Sequence, residues 1–171
     1  TSVILALAPL LKTGWVDLSS IISDSKSGVS GAGRKPSLST HYAEVNEGIS
    51  PYGLAGHRHT PEMEQELSAL AGKPVRLTFS PHLIPMTRGM LSTVYINLNE
   101  GLSDEKLVEH YRNFYKGEHF VRVLNLEKFA SSKYVLSSNF CDIGLKVDSR
   151  NQRLIITSAL DNLIKGASGQ A

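Results

Sequence analysis

FCDIGLKVDSRNQRLIITSAL, residues 140–160, decides the fold class. In its first half Cys141, Ile143, Leu145 and Val147 fall on one side of an extended chain, and Asp142, Lys146 and Asp148 on the other. A period of two belongs to a strand with one buried face. Ser149–Gln152 supplies a polar turn and Arg153–Leu160 a return strand, so the stretch predicts an antiparallel hairpin.

Working outward, residues 75–84 (VRLTFSPHLI) and 90–98 (MLSTVYINL) predict two more strands, joined by the tight turn Pro85–Gly89. Residues 119–124 predict a short strand and 15–24 (WVDLSSIISD) another. Helices come between them. Thr60 is placed to cap free N–H groups, Pro61 suits a first helical position and Glu62 the positive end of the dipole. Met63, Leu67 and Leu70 follow at helical spacing, and Gly72 stops the helix. Ser103 caps a second helix, stapled by Leu102 and Leu107, with Leu107, Tyr111 and Phe114 as its buried stripe. Residues 2–12 predict a short buried helix, and 161–171 the opening of another. Residues 25–40 (SKSGVSGAGRKPSLST) have no apolar periodicity and predict a functional loop. The sum is an α+β domain: a mostly antiparallel mixed sheet with helices packed on one face.

The 171 residues suit one domain, and 41% apolar with 20% charged residues suffices for a core and excludes a disordered chain. The net charge of +2 comes without a Lys/Arg run, so no nucleic-acid partner is implied. The apolar stretch Val3–Leu11 contains Pro9 and is too short to span a membrane. A lone cysteine, Cys141, excludes an internal disulfide and a cysteine zinc cluster, and fits a reducing compartment. The chain opens on Thr1 with no basic segment before its apolar stretch, which does not read as a signal peptide; it reads as a piece of something longer.

Three stretches carry residues with chemistry. In Gly56-His57-Arg58-His59-Thr60-Pro61-Glu62, two histidines at i, i+2 share a side if the segment is extended. Two imidazoles and the Glu62 carboxylate would suit a metal site, as in a metal-dependent hydrolase; a single histidine would suit acid/base catalysis; a polar strand end before a helix would need neither. Ser27–Arg34 (SGVSGAGR) combines small residues, which let backbone N–H groups approach an anion, with a cation. Its glycine spacing does not fit the dinucleotide fingerprint, no Lys-Ser/Thr follows the last glycine as in a P-loop, and a plain surface turn stays open. Arg88, in the 85–89 turn, is either solvated or grips a carboxylate or phosphate. Cys141 lies in the apolar register of its strand and reads as a buried structural thiol.

Taken together, SGVSGAGR (27–34), YGLAGHRHTPEM (52–63), LIPMTRGML (83–91) and ALDNLIKGASGQA (159–171) resemble, in order, the N-acetyl-gamma-glutamyl-phosphate reductase family, within the semialdehyde dehydrogenases. The resemblance implies a glyceraldehyde-phosphate-dehydrogenase-like C-terminal domain, with residues 1–171 as the substrate-binding and dimerisation domain. It also implies a cytoplasmic step of arginine biosynthesis: an acyl phosphate is reduced to an aldehyde with release of phosphate, through a cysteine thioester. NADP(H) would be bound mainly by a Rossmann domain upstream of Thr1. The family's nucleophile, in a Gly-Cys-Tyr-Pro-Thr motif, is expected just upstream of Thr1, and Cys141 does not match it.

Residue by residue, His57 matches the family's acid/base histidine. Ser30, Gly31, Ala32 and Gly33 match the loop at the phosphate and nicotinamide end of the cofactor, and Asn162 a contact to the nicotinamide carboxamide. Arg34, Arg58, His59, Glu62 and Arg88 are the expected substrate contacts, since an acyl phosphate with an α-carboxylate needs cations around it. No metal is expected. The partners implied are that small-molecule substrate and further copies of the chain, as a dimer or tetramer, with neither nucleic acid nor membrane. A domain that only oligomerises, without catalysing, is the competing reading.

Overall fold

The computed structural model describes all of Thr1–Ala171. The elements, in chain order, are α1 (Ser2–Leu7), β1 (Ile22–Gly28), α2 (Tyr42–Val45), β2 (Ser50–Pro51), α3 (Thr60–Ala71) and β3 (Thr78–Ile84). They continue with β4 (Met90–Asn97), α4 (Asp104–Phe114), β5 (Val121–Val123), β6 (Cys141–Asp148) and β7 (Arg153–Leu160). The strands form one seven-stranded sheet in the order β2-β3-β1-β4-β7-β6-β5. β1 runs parallel to β3 and β5 parallel to β6; the other pairs are antiparallel. The hairpin expected at 140–160 forms as β6 and β7, with Cys141 opposite Leu160 and Asp148 opposite Arg153.

One face of this sheet carries the core. Val94 and Ile96 of β4, Leu154, Ile156 and Leu160 of β7, and Cys141, Ile143 and Leu145 of β6 are buried there under Leu7 and Leu10, Leu67 of α3, and Leu107 and Tyr111 of α4. Ser103 caps α4 by accepting the Lys106 N–H, as its sequence indicates. Phe114, expected in the buried stripe, is half exposed instead. Phe114 is the last residue of α4, and the next residue, Tyr115, fills that place, its hydroxyl donating to the Leu5 carbonyl at 2.5 Å.

Four further expectations are corrected. First, α1 ends at Leu7, because Pro9 cannot continue an α-helix and Ala8–Leu10 tightens into a 3₁₀ turn. Second, the strand expected at 15–24 begins only at Ile22 and runs into the supposed loop as far as Gly28. Its alternating residues are serines: Ser23, Ser25 and Ser27 face the core and are almost completely buried. There Ser92 Oγ lies 2.7 Å from Ser25 Oγ and 2.8 Å from Ser2 Oγ of α1, so the hydroxyls satisfy one another.

Third, β3 and β4 are not neighbours joined by a tight turn. β1 lies between them, and residues 85–89 form a strap across its end. The strap is held by Gly28 N–H to the Gly89 carbonyl (2.9 Å), Val29 N–H to Met86 (2.8 Å) and Ser30 N–H to Thr87 (3.2 Å). A Cβ at Gly28 would sit 2.9 Å from the Met86 carbonyl oxygen, so only glycine admits the crossing. Fourth, 161–171 is not a helix. Its hydrogen bonds run from Ile164 and Gly166 N–H to the Asp161 carbonyl, which closes turns, and a 3₁₀ turn follows at Ser168–Gln170.

No helix packs on the opposite face of the sheet's centre, but the connection from β5 to β6 crosses part of that face. Ala130 N–H donates to Thr157 Oγ1 at 3.0 Å, and Ala130, Val135 and Ala159 form a small second core. Gly144 marks the closest approach, where a Cβ would lie 2.6 Å from the Lys128 carbonyl oxygen. Toward β1 and β3 the face stays open. No helix is long and apolar enough to cross a membrane.

Candidate functional site

The expected site residues fall into two groups. The first lies at the start of α3. His57 is held in a ring cluster, edge-on to Tyr52 (5.4 Å between centroids), Phe79 (5.1 Å) and His59 (5.1 Å). Gly53, at φ +57°, passes beneath the imidazole, with its missing Cβ 3.2 Å from His57 Cδ2. The His59 N–H donates to His57 Nδ1 at 3.2 Å, so the neutral imidazole carries its proton on Nε2. Burial, then His59 and Arg58, lower the His57 pKa from its ordinary 6.5. His59 is also shifted down, by burial and by Arg58, against the opposing pull of Glu62.

The segment is not extended. His59 adopts helical dihedrals at the N-cap position of α3 without using its side chain as a cap, and Thr60 is already the first helical residue. Thr60 therefore does not cap. The ligand set of the metal reading is not gathered: the imidazoles meet edge to face, His57 Nδ1 is taken by a backbone N–H, and no three His, Cys, Asp or Glu side chains stand together to hold an ion. Arg58, His59 and Glu62 are exposed around His57. The nitrogen of Thr1 lies within electrostatic reach of His59 and Glu62, so the starts of α1 and α3 converge.

The second group lies where β1, the strap and the chain after β7 meet. Val29–Ala32 forms a 3₁₀ turn and Gly33 follows at φ +82°. Ser30, Gly33 and Arg34 line a cleft of about 490 Å³ together with Lys35, Tyr42 of α2 and Met86 of the strap. Asn162 is buried beside it. Its Oδ1 accepts the Gly89 N–H at 2.7 Å and its Nδ2 donates to Ser30 Oγ at 2.9 Å. Arg88 is partly buried and grips a carboxylate within the chain: its Nη2 donates to Asp161 Oδ1 at 3.2 Å, and its Nε lies 3.2 Å from Oδ2. Asp161 also accepts the Ser137 and Leu163 N–H groups, both at 2.8 Å.

Sequence reasoning passed over Asp161, Lys35, Tyr42 and Tyr52. Asp161 had a signal, a carboxylate directly after a buried strand, which needs a partner. Cys141 belongs to the core face of β6. It is fully buried, its Sγ is 3.4 Å from Ser158 Oγ, and burial pushes its pKa up to about 11, far from a reactive thiolate.

The sequence pattern described as "Semialdehyde dehydrogenase, dimerisation domain" matches residues 1–162. The chain belongs to the semialdehyde dehydrogenase dimerisation-domain family. Among curated relatives, the N-acetyl-gamma-glutamyl-phosphate reductase of Pelobacter propionicus is 60% identical over the whole chain, which covers 50% of that protein. The protein of the same name from Moorella thermoacetica is 55% identical, again over the whole chain and 49% of the relative. This dimerisation domain thus spans about half the length of the curated relatives it matches. Its fold is that of aspartate semialdehyde dehydrogenase II from Vibrio cholerae, with a TM-score of 0.75, 14% identity, and coverage of 98% of this chain and 56% of the other. The Francisella tularensis aspartate semialdehyde dehydrogenase gives 0.72 at 16% identity, over 97% and 58% of the two chains.

Proposed function

We propose that this chain is the substrate-binding and dimerisation half of an NADPH-dependent N-acetyl-gamma-glutamyl-phosphate reductase. The observation that carries this reading is identity of 60% with a protein of that name across the whole chain. The reaction takes an acyl phosphate, a hydride and a proton to an aldehyde and phosphate, through a thioester on a cysteine just upstream of Thr1.

His57 faces the reacting carbonyl through Nε2, since its Nδ1 is held by the backbone. From there its Nε2–H donates a hydrogen bond to the oxygen on which charge develops and stabilises that charge. Convergence of the Thr1 end of α1 with the start of α3 supports this, because residues preceding Thr1 enter beside His57–Glu62. Arg58, His59 and Glu62 frame the substrate. Arg34 supplies positive charge at the cleft, and Arg88, fixed by Asp161, stands at the strap.

The Ser30–Gly33 loop fits an anionic nucleotide. It is small, its Gly33 has open space where a Cβ would stand, and it borders a cleft with Arg34 and Lys35. NADPH would supply the hydride, with most of its binding residues outside this chain.

The test is phosphate-dependent NADP reduction by the full-length protein with N-acetylglutamate semialdehyde. Turnover is expected, and its absence overturns the reading. The 171-residue chain by itself should give no turnover, as its one thiol, Cys141, is fully buried with its pKa pushed up to about 11.

A further inference from the structure

We infer that Asn162 is a positioning residue, a clamp that sets the Ser30–Gly33 loop by joining Ser30 to the strap at Gly89. The inference rests on reading that loop as the cofactor loop. The resemblance to the family gives Asn162 a direct contact with the nicotinamide, but the structure has this carboxamide at work inside the protein. It is 8% exposed, its oxygen receives the Gly89 N–H at 2.7 Å, and its nitrogen donates to Ser30 Oγ at 2.9 Å.

The surroundings leave it little freedom. A Cβ on Gly166 would lie 2.7 Å from the Asn162 carbonyl oxygen and 2.8 Å from its Cα, so the turn after β7 is pressed against this residue. A Cβ on Gly31 would lie 3.0 Å from Ser27 Oγ and 3.6 Å from Asn162 Nδ2, so the loop is seated on the same side chain. Asp161, the preceding residue, fixes the backbone from the other side through Arg88 and the Ser137 N–H. A side chain held at both ends in this way transmits the position of the strap to Ser30.

The clamp makes a quantitative claim about coupling. Both Asn162→Ala and Ser30→Ala break the same link, so in the full-length protein each should weaken NADPH binding about tenfold, the scale of a lost buried hydrogen bond. The double variant should be no worse than the weaker single one. A direct contact of Asn162 with the cofactor predicts instead that the two losses multiply, to about a hundredfold.

The measurement is NADPH titration followed by its fluorescence, with a thermal melt of each variant to show that it is folded. The KM for NADPH should follow the dissociation constant while kcat changes little. Multiplying losses overturn the inference, and so does unchanged binding in either single variant. A wild-type protein that neither binds NADPH nor turns over refutes the proposed function, a separate outcome. If Asn162→Ala does not fold, Ser30→Thr serves, because it keeps a hydroxyl to accept from Asn162 Nδ2. Affinity within about twofold of wild type then supports the clamp, and a tenfold loss overturns it.

Discussion

The two histidines of GHRHTPE sit two residues apart and do different things. His57 is clasped by Tyr52, Phe79 and His59, with Nδ1 spent on the backbone, whereas His59 sits exposed at the N-cap of α3. In the full-length protein, His57→Asn should lower kcat about 10²–10⁴-fold with a smaller change in KM, and His59→Asn should cost less. Steady-state kinetics across pH check this; the reverse ranking would exchange the two roles. The pH dependence has a definite sign. A second proton on His57 would place an N–H at Nδ1 against the His59 N–H, and burial and Arg58 oppose the added charge. With its pKa held below 6.5, the imidazole stays neutral through neutrality, and the acid limb of kcat/KM should fall below pH 6.5 and vanish in His57→Asn. By linkage, any stability it contributes is complete above pH 6.5 and is lost as pH falls through its lowered pKa. The residue types at this site were legible in the sequence because they are contiguous. The Asn162–Gly89 bond was not, because its partners lie 73 residues apart and neither has a local pattern that points to the other.

Among the elements, β1 shows how a strand can hide from hydrophobic periodicity. Its core face is Ser23, Ser25 and Ser27, alternating with Asp24 and Lys26, so an apolar template sees only loop composition. The period of two was present, but in serine. The reason lies in the packing: α1 crosses above, and small hydroxyls let Ser2 come within 2.8 Å of Ser92, which no Val or Leu would allow. Ser92 is the shared partner, joined to Ser2 of α1 and to Ser25 of β1. Ser92→Ala should therefore remove two buried hydrogen bonds, leaving Ser2 only Met90 Sδ at 3.4 Å and Ser25 only Ser23 Oγ at 3.3 Å, and cost about 1–3 kcal/mol, read as a lower midpoint in denaturant unfolding with an unchanged slope. An unshifted midpoint would mean that Ser2 and Ser25 find each other without it. By contrast β6, β7 and α4 were legible because their burial is apolar and their turn and cap are local. The β3–β4 connection misled for a topological reason: a five-residue link, Pro85–Gly89, can join adjacent strands or cross over one between them, and only the close approach at Gly28 distinguishes the two.

At the scale of the whole molecule, the sheet's second face decides how the domain is used. The helices and the main core occupy one face, and the 124–140 connection covers the β6 end of the other. What stays open is the face of β3, β1, β4 and the middle of β7, with β4 the central strand of the sheet. Tyr95 and Ile155 are cross-strand partners there, and Ile22 pairs with Tyr95 from the other side, an apolar row in the middle of an uncovered sheet. Asp24, Lys26 and His82 lie toward one end of the same face, with Lys26 Nζ 2.7 Å and His82 Nδ1 3.1 Å from Asp24 Oδ1. An apolar centre with charges set to one side is the composition of an interface, and the family is described as a dimerisation domain. We therefore expect the contact between two copies of the chain on this face, with the Tyr95–Ile155 row at its centre. Ile155→Lys should leave the monomer's fold intact, because the side chain points away from the core on which Leu154 and Ile156 pack. In the assembly it would bury an unpaired charge, which is strongly unfavourable. Light scattering of the full-length protein at high micromolar concentration should show an oligomer for wild type and a smaller species for Ile155→Lys, with the same far-ultraviolet circular dichroism. A wild type that is strictly monomeric removes the interface altogether, and a variant that assembles as wild type moves it to another surface.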